Sequence, residues 1–295
     1  MRTDKRVFAL GFFDGVHLGH QALLKECCRL AQVLECRAAA VTFDRHPKSL
    51  FLDQPPVLIS TARDRQQLLR QYGMDHVYTY PVTKEVMSMP WQRFFEELLE
   101  FGAVGFVCGD DFRFGHRGEG NAEKLKALCD QLGLPCVIVP EQMADDRRIS
   151  STYIRTQIES GDMATAVRFL GHPWSITGTV VHGKQLGRTL GIPTANLLLP
   201  EGIVSPRFGV YACRAIVDGK SYPAVTNVGT RPTVNGVGVT VEPWILDFQG
   251  DLYDREITLE FHRFLRPETK FPDLAALQAE IRKNAQETHA YFEKA

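Results

Sequence analysis

Over residues 7–170 short apolar runs alternate with amphipathic helical spacing, and this alternation restricts the first part of the chain to a parallel sheet covered by helices on both faces. The run at 7–11 ends at a glycine. After a turn-rich stretch, residues 18–34 place Leu23, Leu24, Cys27, Leu30, Ala31 and Leu34 on one helical stripe, and a strand at 38–43 completes a βαβ unit. The pattern then predicts helices at 61–72, 90–101 and 122–132, with strands at 76–80, 104–108 and 136–139. A Rossmann-like sheet of this kind binds ligands beyond the carboxyl ends of its strands.

Two further helices are expected at 151–159 and 164–170, and then the texture changes. Short β-rich runs at 175–181, 209–217, 221–228, 239–248 and 256–264 sit between Gly, Pro and Asn turns, and an amphipathic helix spans 274–292. This spacing reads as a small antiparallel β-barrel with a closing helix. At 295 residues the chain exceeds the usual single core of roughly 100–200 residues. The expected domains are 1–171 and 172–295.

Composition removes several classes of function. A hydrophobic share of 44% and a charged share of 23% are globular values, against disorder or a fibre. A net charge of -1 supplies no field toward nucleic acid or an anionic membrane. No apolar stretch reaches about 18 residues. The seven cysteines are Cys27, Cys28, Cys36, Cys108, Cys129, Cys136 and Cys213, with no C-x-x-C pair, so reduced thiols in the cytoplasm are expected. Nothing in the sequence sets an oligomeric state.

The first strand leads into Gly11-Phe12-Phe13-Asp14-Gly15-Val16-His17-Leu18-Gly19-His20. Glycines here let the backbone approach phosphates, with Gly11, Phe13, Asp14 and Gly15 as the turn that meets them, and the following helix presents its unpaired N–H groups. His17 and His20, three residues apart, share a side of that helix and can donate to a polyphosphate as pyrophosphate leaves. The pair alone is equally compatible with a structural or metal-ligating role, although no third ligand lies nearby in sequence. At the end of the α/β region, Ser151, Thr152 and Arg155 put two hydroxyls and a guanidinium at a helix start, suited to phosphates or to an ordinary capped helix.

In the β-rich part, Gly183, Lys184, Gly187 and Arg188 can wrap phosphates without forming a P-loop. In Pro193-Thr194-Ala195-Asn196, an extended backbone would point Thr194 and Asn196 to one face, where two neutral oxygens can ligate Mg2+ beside nucleotide phosphates. The same four residues also read as a plain turn.

These stretches resemble the bacterial bifunctional riboflavin kinase/FAD synthetases. The matching segments are 11–20, Thr42-Phe43-Asp44 with His46-Pro47, 111–115 and 149–155 in the first part. In the second they are 183–188, 193–196, 208–211, 227–233, Val241-Glu242 with 246–248, and 265–271. The resemblance implies a C-terminal riboflavin kinase making FMN from riboflavin and ATP, and an N-terminal nucleotidyltransferase making FAD from FMN and ATP. It implies that His17 and His20 contact ATP phosphates, that Ser151, Thr152 and Arg155 hold the triphosphate, and that Asp111 is on the flavin side. In the kinase it implies Thr194 and Asn196 on the metal and Glu242 as the base for the riboflavin 5′-hydroxyl. Arg266 would hold flavin or the closing segment, with a structural ion pair as the alternative. The chain departs from the family pattern at Phe12 (usually Asn), Arg45 (usually Pro) and Trp244 (usually His). Two rival readings, one live domain only or a flavin sensor without turnover, are disfavoured by intact His17, His20 and Arg155 and by Glu242, since binding alone needs no base.

Overall fold

The computed structural model of the protein describes residues 5–182, 191–233 and 236–294. Packing divides the chain into two units, Met1–Ser151 and Thr152–Ala295.

The first unit runs β1 (Arg6–Leu10), α1 (Leu18–Val33), β2 (Arg37–Phe43), α2 (Ala62–Gln71), β3 (His76–Tyr80), α3 (Lys84–Met87), α4 (Trp91–Glu100) and β4 (Ala103–Gly109). There follow the two-residue strands β5 (Arg113–Phe114) and β6 (Gly120–Asn121), α5 (Ala122–Gln131), β7 (Cys136–Val139), and the short pair β8 (Met143–Ala144) and β9 (Arg147–Arg148). The main sheet has the order β3-β2-β1-β4-β7 with every pairing parallel. Period-two alternation sorts β1 onto two cores. Val7 and Ala9 pack with Leu24, Cys27 and Leu30 of α1, while Phe8 and Leu10 pack with Phe95 and Leu98 of α4 and Leu125 of α5. This two-sided burial explains the near-continuous apolar strands. Side chains fix where the helices begin: Thr61 accepts from the Asp64 amide at α2, and Asn121 Oδ1 from the Lys124 amide at α5.

The second unit takes in α6 (Ser151–Ser160), α7 (Met163–Leu170), β10 (Trp174–Thr179), β11 (Leu197–Leu198), β12 (Gly209–Val217), β13 (Lys220–Thr233), β14 (Gly236–Ile245), β15 (Glu256–Arg266) and α8 (Leu274–Glu293). Its six strands form a near-closed antiparallel barrel in the order β10-β15-β12-β13-β14-β11. Beyond β10 the Val181 amide donates to the Asn196 carbonyl at 2.9 Å, just ahead of β11, which brings the two edges together. Trp174, Tyr211 and Phe261 fill the core, and α8 packs on β12 and β13.

The expected elements are present, with differences at the barrel's long hairpin. β13 continues to Thr233 and β14 starts at Gly236, because the ladder persists to a Thr233 to Gly236 pair despite Gly229, Pro232 and Gly238. β14 stops at Ile245 rather than 248, since Asp247 turns left-handed at φ 59° and Leu246 bonds back to the Pro223 carbonyl. The two-residue strands have no periodicity to betray them.

In α7, Met163, Ala166, Phe169 and Leu170 are buried, and the helix packs on β10 and β15. Fully burying each large apolar side chain is worth about 1.5–3 kcal/mol. A fragment of residues 152–295 should therefore show a higher urea midpoint than one of 172–295; equal midpoints would mean that α7 adds nothing to the barrel.

Candidate active sites

Strand order locates the first site. β2 lies on one side of β1 and β4 on the other, so the crevice beyond their carboxyl ends is a topological switch point. A cavity of about 240 Å3 opens there, with His17, His20, Gly109, Asp111, Arg148 and Ser151 in its wall.

The turn leaving β1 is left-handed at Phe13 (φ 59°), Gly15 (75°) and Val16 (43°), a strained state for a β-branched valine. Buried Asp14 holds it. Its carboxylate accepts the amides of Ile59 at 2.9 Å and Ser60 at 3.3 Å, and the Ser60 hydroxyl accepts the Gly15 amide at 3.1 Å. A Cβ on Gly15 would lie 2.8 Å from Ile59, and one on Gly11 would lie 3.0 Å from the Phe13 ring. The Phe13 side chain is fully buried, with its ring edge-on to His20.

His17 caps α1, its Nδ1 accepting the His20 amide at 3.3 Å, which places the proton of the neutral ring on Nε2. The His17 and His20 rings stack at 3.6 Å and 13°. Gly19 permits this, because a Cβ there would be 3.2 Å from the His17 ring. Burial first, then His17 and then Arg65 hold His20 well below the usual imidazole range, and its Nδ1 is buried without a hydrogen bond. His20 can therefore present a neutral imidazole to an anion.

Ser151 donates to the Asp14 carbonyl at 3.0 Å and so joins the His17 and His20 cavity. Thr152 and Arg155 belong to the second unit, where Arg155 Nη2 donates to the Thr152 hydroxyl at 3.0 Å. Asp111 is exposed and ion-paired with Arg148 at 2.6 Å, and Arg148 also reaches Glu141 at 2.8 Å.

Sequence reasoning missed Arg148, although it stands just upstream of the 149–155 stretch. It also missed an apolar cavity of about 700 Å3 walled by Phe43, Phe51, Met87, Met89, Phe94 and Phe114. Its signals were Phe43 and Pro47 in the 42–47 match and the aromatic content of 111–115.

Two departures find partners. Phe12 receives the buried Arg65 guanidinium on its face at 4.5 Å and His46 at 5.1 Å, a cation–π contact in place of an amide. Arg45 donates to the Val82 carbonyl at 3.1 Å.

The second site lies on the barrel. Antiparallel register sets Asn227 opposite Glu242 and Val225 opposite Trp244. Glu242 and Trp244, two apart on β14, share a face, and both line a cavity of about 350 Å3 with Thr194, Asn227 and Arg266. Arg266 is held from α8: its Nε donates to Asn284 Oδ1 at 3.0 Å and lies 3.5 Å from Glu280, while its guanidinium sits over Phe271 at 5.4 Å. Asn227 and Glu268 lie in matching segments and Trp244 at a marked departure on the flavin side, whereas Asn284 is a cavity residue outside every stretch the sequence had marked.

The Ala195 amide donates to the Pro243 carbonyl at 2.9 Å, which ties the 194–196 stretch to β14. Thr194 lines the large cavity and a smaller one of about 80 Å3 beside Tyr253, and Asn196 is buried. Gly183, Lys184, Gly187 and Arg188 lie outside the described residues. Among the described residues no group of three His, Cys, Asp or Glu can hold a metal. Two neutral oxygens fit Mg2+ only when phosphates complete the shell, as that ion commonly allows.

Comparison with known proteins agrees with this layout. The riboflavin kinase family model matches residues 170–292, and the FAD synthetase model matches residues 1–153. The Listeria monocytogenes bifunctional riboflavin kinase/FMN adenylyltransferase is 34% identical over 99% of this chain and 94% of its own. The Pseudomonas fluorescens protein of the same description is 37% identical over 95% of this chain and 92% of its own. A solved Streptococcus pneumoniae structure, described as a macrolide-efflux protein, is 30% identical with a TM-score of 0.86, covering 98% of this chain and 97% of that one. No helix among the described residues is long and apolar enough to cross a membrane. Two family models laid end to end and relatives matched along nearly their whole length lead to one statement: this chain belongs to the bifunctional riboflavin kinase/FMN adenylyltransferase family.

Proposed function

We infer that the family's two activities rest here on two separate constellations of side chains. The chain phosphorylates riboflavin to FMN in its C-terminal part and adenylylates FMN to FAD in its N-terminal part. The observation that carries the assignment of residues is the convergence of Glu242, Thr194, Asn227 and Arg266 on one cavity. We place the functional boundary at 171/172.

In the kinase, the riboflavin 5′-oxygen attacks the γ-phosphorus of ATP, a new P–O bond forms, the bond to ADP breaks, and Glu242 accepts the hydroxyl proton. Thr194 and Asn196 would hold Mg2+, which when bound offsets phosphate charge. Gly183, Lys184, Gly187 and Arg188 are assigned to the ATP phosphates from their motif. Arg266, oriented by Asn284, holds the flavin side.

In the adenylyltransferase, an FMN phosphate oxygen attacks the α-phosphorus and pyrophosphate leaves, with no proton to move. His17 and His20 donate to the charge that develops. The turn residues Gly11, Phe13, Asp14 and Gly15 meet the phosphates largely through backbone, since the Phe13 ring and the Asp14 carboxylate are committed elsewhere. Ser151, Thr152 and Arg155 are assigned to the triphosphate tail. Asp111, in the wall of the 240 Å3 cavity, and the separate 700 Å3 apolar cavity of the same unit suit the flavin side of FMN. The seven free cysteines suit the cytoplasmic setting proposed for the protein.

Glu242→Gln keeps size and polarity but cannot accept a proton. It should lower riboflavin phosphorylation by about 10²–10⁴ while FMN supplied directly still becomes FAD. A folded variant with parental kinase rate would remove Glu242 from the base role.

His17→Ala or His20→Ala should lower FAD formation by about 10²–10³ and leave FMN formation intact. Parental FAD formation in both would rule out the assignment.

The negative charge of ATP offsets the repulsion that His17 and Arg65 exert on His20, which adds to the larger effect of burial in keeping it neutral, so ATP binding should raise the His20 pKa and take up protons at pH values below the usual imidazole range. Calorimetry in buffers of different ionisation enthalpy measures this. His20→Ala should reduce the uptake, and an undiminished uptake would place the proton on another group.

A further inference from the structure

We propose that Trp244 is a specificity-determining residue of the kinase site, its indole packing against the isoalloxazine ring of riboflavin. This rests on the reading of Glu242 as the group facing the riboflavin 5′-hydroxyl. The argument is one of lengths along a single strand. Glu242 and Trp244 both line the 350 Å3 cavity from β14. Residues two apart on a strand are about 6.7 Å from one another on the same face. The ribityl chain puts six bonds of about 1.5 Å between its terminal oxygen and the ring nitrogen, and spans roughly 7.5 Å when extended. A riboflavin whose 5′-oxygen lies at Glu242 and whose chain follows β14 therefore brings its tricyclic ring level with Trp244.

The surroundings suit a flat apolar ring there and not a polar one. Trp244 is half-buried against a cluster of Val210, Val225, Leu246 and Ala285, and Leu277 and Ile281 of α8 line the same cavity. Across the ladder Asn227 stands opposite Glu242 and Val225 opposite Trp244, so a polar pair and an apolar pair take successive positions on the cavity face, and Arg266, Glu268, Thr269 and Asn284 add to its polar lining. Trp244 is the only indole in the described lining, with no tyrosine beside it. Aromatic surface in such a place supplies both buried area and a preferred offset geometry toward a second ring.

The test is a titration of the full-length protein with riboflavin, without ATP, read by flavin and tryptophan emission. In the parent, binding should quench the flavin, because indole in contact with an isoalloxazine is an efficient quencher. Trp244→Phe should keep an aromatic wall, bind riboflavin within about tenfold of the parent, and restore emission from the bound flavin. Trp244→Ala should weaken binding at least about tenfold while FMN adenylylation is unchanged. Trp91→Phe, a change in the other unit, should leave the quench in place. Equal quenching in the parent and Trp244→Phe overturns the proposal, and so does parental affinity in Trp244→Ala. Should Trp244→Ala fail to fold, the Trp244→Phe emission alone decides. Failure of the underlying kinase reading has a different signature: the parent itself would not bind riboflavin, or Glu242→Gln would phosphorylate it at the parental rate.

Discussion

The carboxylate of Asp14 is the group on which the first unit's site depends. It is buried, and a buried charge must be met by donors. The amides of Ile59 and Ser60 meet it, so the loop ahead of α2 is fastened beneath the turn that leaves β1. That fastening holds Phe13 and Val16 in a left-handed conformation that their side chains disfavour, while Gly15 between them adopts it at no steric cost. His17 then emerges at the position from which it can cap α1, and the Asp14 carbonyl is left to receive Ser151 from the far end of the unit. Asp14 also opposes the loss of charge that burial imposes on Arg65, whose guanidinium lies on Phe12. One side chain thus sets the geometry of the turn, the histidine pair and the cation behind them.

In the barrel the corresponding constraint is register. Asn227 faces Glu242 because β13 and β14 pair from Ala224 with Ile245 to Thr233 with Gly236. A slip of one residue would turn Glu242 and Trp244 out of the cavity and Pro243 into it. Pro243 itself helps to fix the arrangement, because its carbonyl accepts the Ala195 amide and so brings Thr194 toward the carboxylate's side of the strand. The carboxylate, the neutral oxygens and the aromatic wall are therefore placed by one ladder, and α8 contributes the opposite wall through Asn284, Leu277 and Ile281.

Much of this was legible in the chain. The two-faced burial of β1 follows from its unbroken apolar run, and the helix stripes fix the layers. The turn proposed to meet phosphates is visible in its glycines and histidines. What could not be read was whatever depends on residues far apart in sequence meeting in space. Nothing around residue 65 announces a buried arginine on the face of Phe12, and nothing near Asn284 announces a partner for Arg266. The 700 Å3 cavity draws on three separate stretches, around 43–51, 86–94 and 113–118, and nothing in the sequence says that they meet. The left-handed Val16 is hidden as well, since propensity alone would exclude it.

The way the barrel meets itself bears on how it breathes. Strands joined by a long ladder open only when many hydrogen bonds give way together, which places their amides at the protected end of the range. The Val181 amide is bonded outside the ladders, to the carbonyl of Asn196, whose side chain is assigned to the metal. A local opening there breaks one bond and leaves the β12 to β15 and β13 to β14 ladders intact. The stretch proposed to hold the metal is thus set at the seam of the barrel, where the backbone can part on a shorter timescale and at a lower cost in free energy than along the hairpin that carries Glu242.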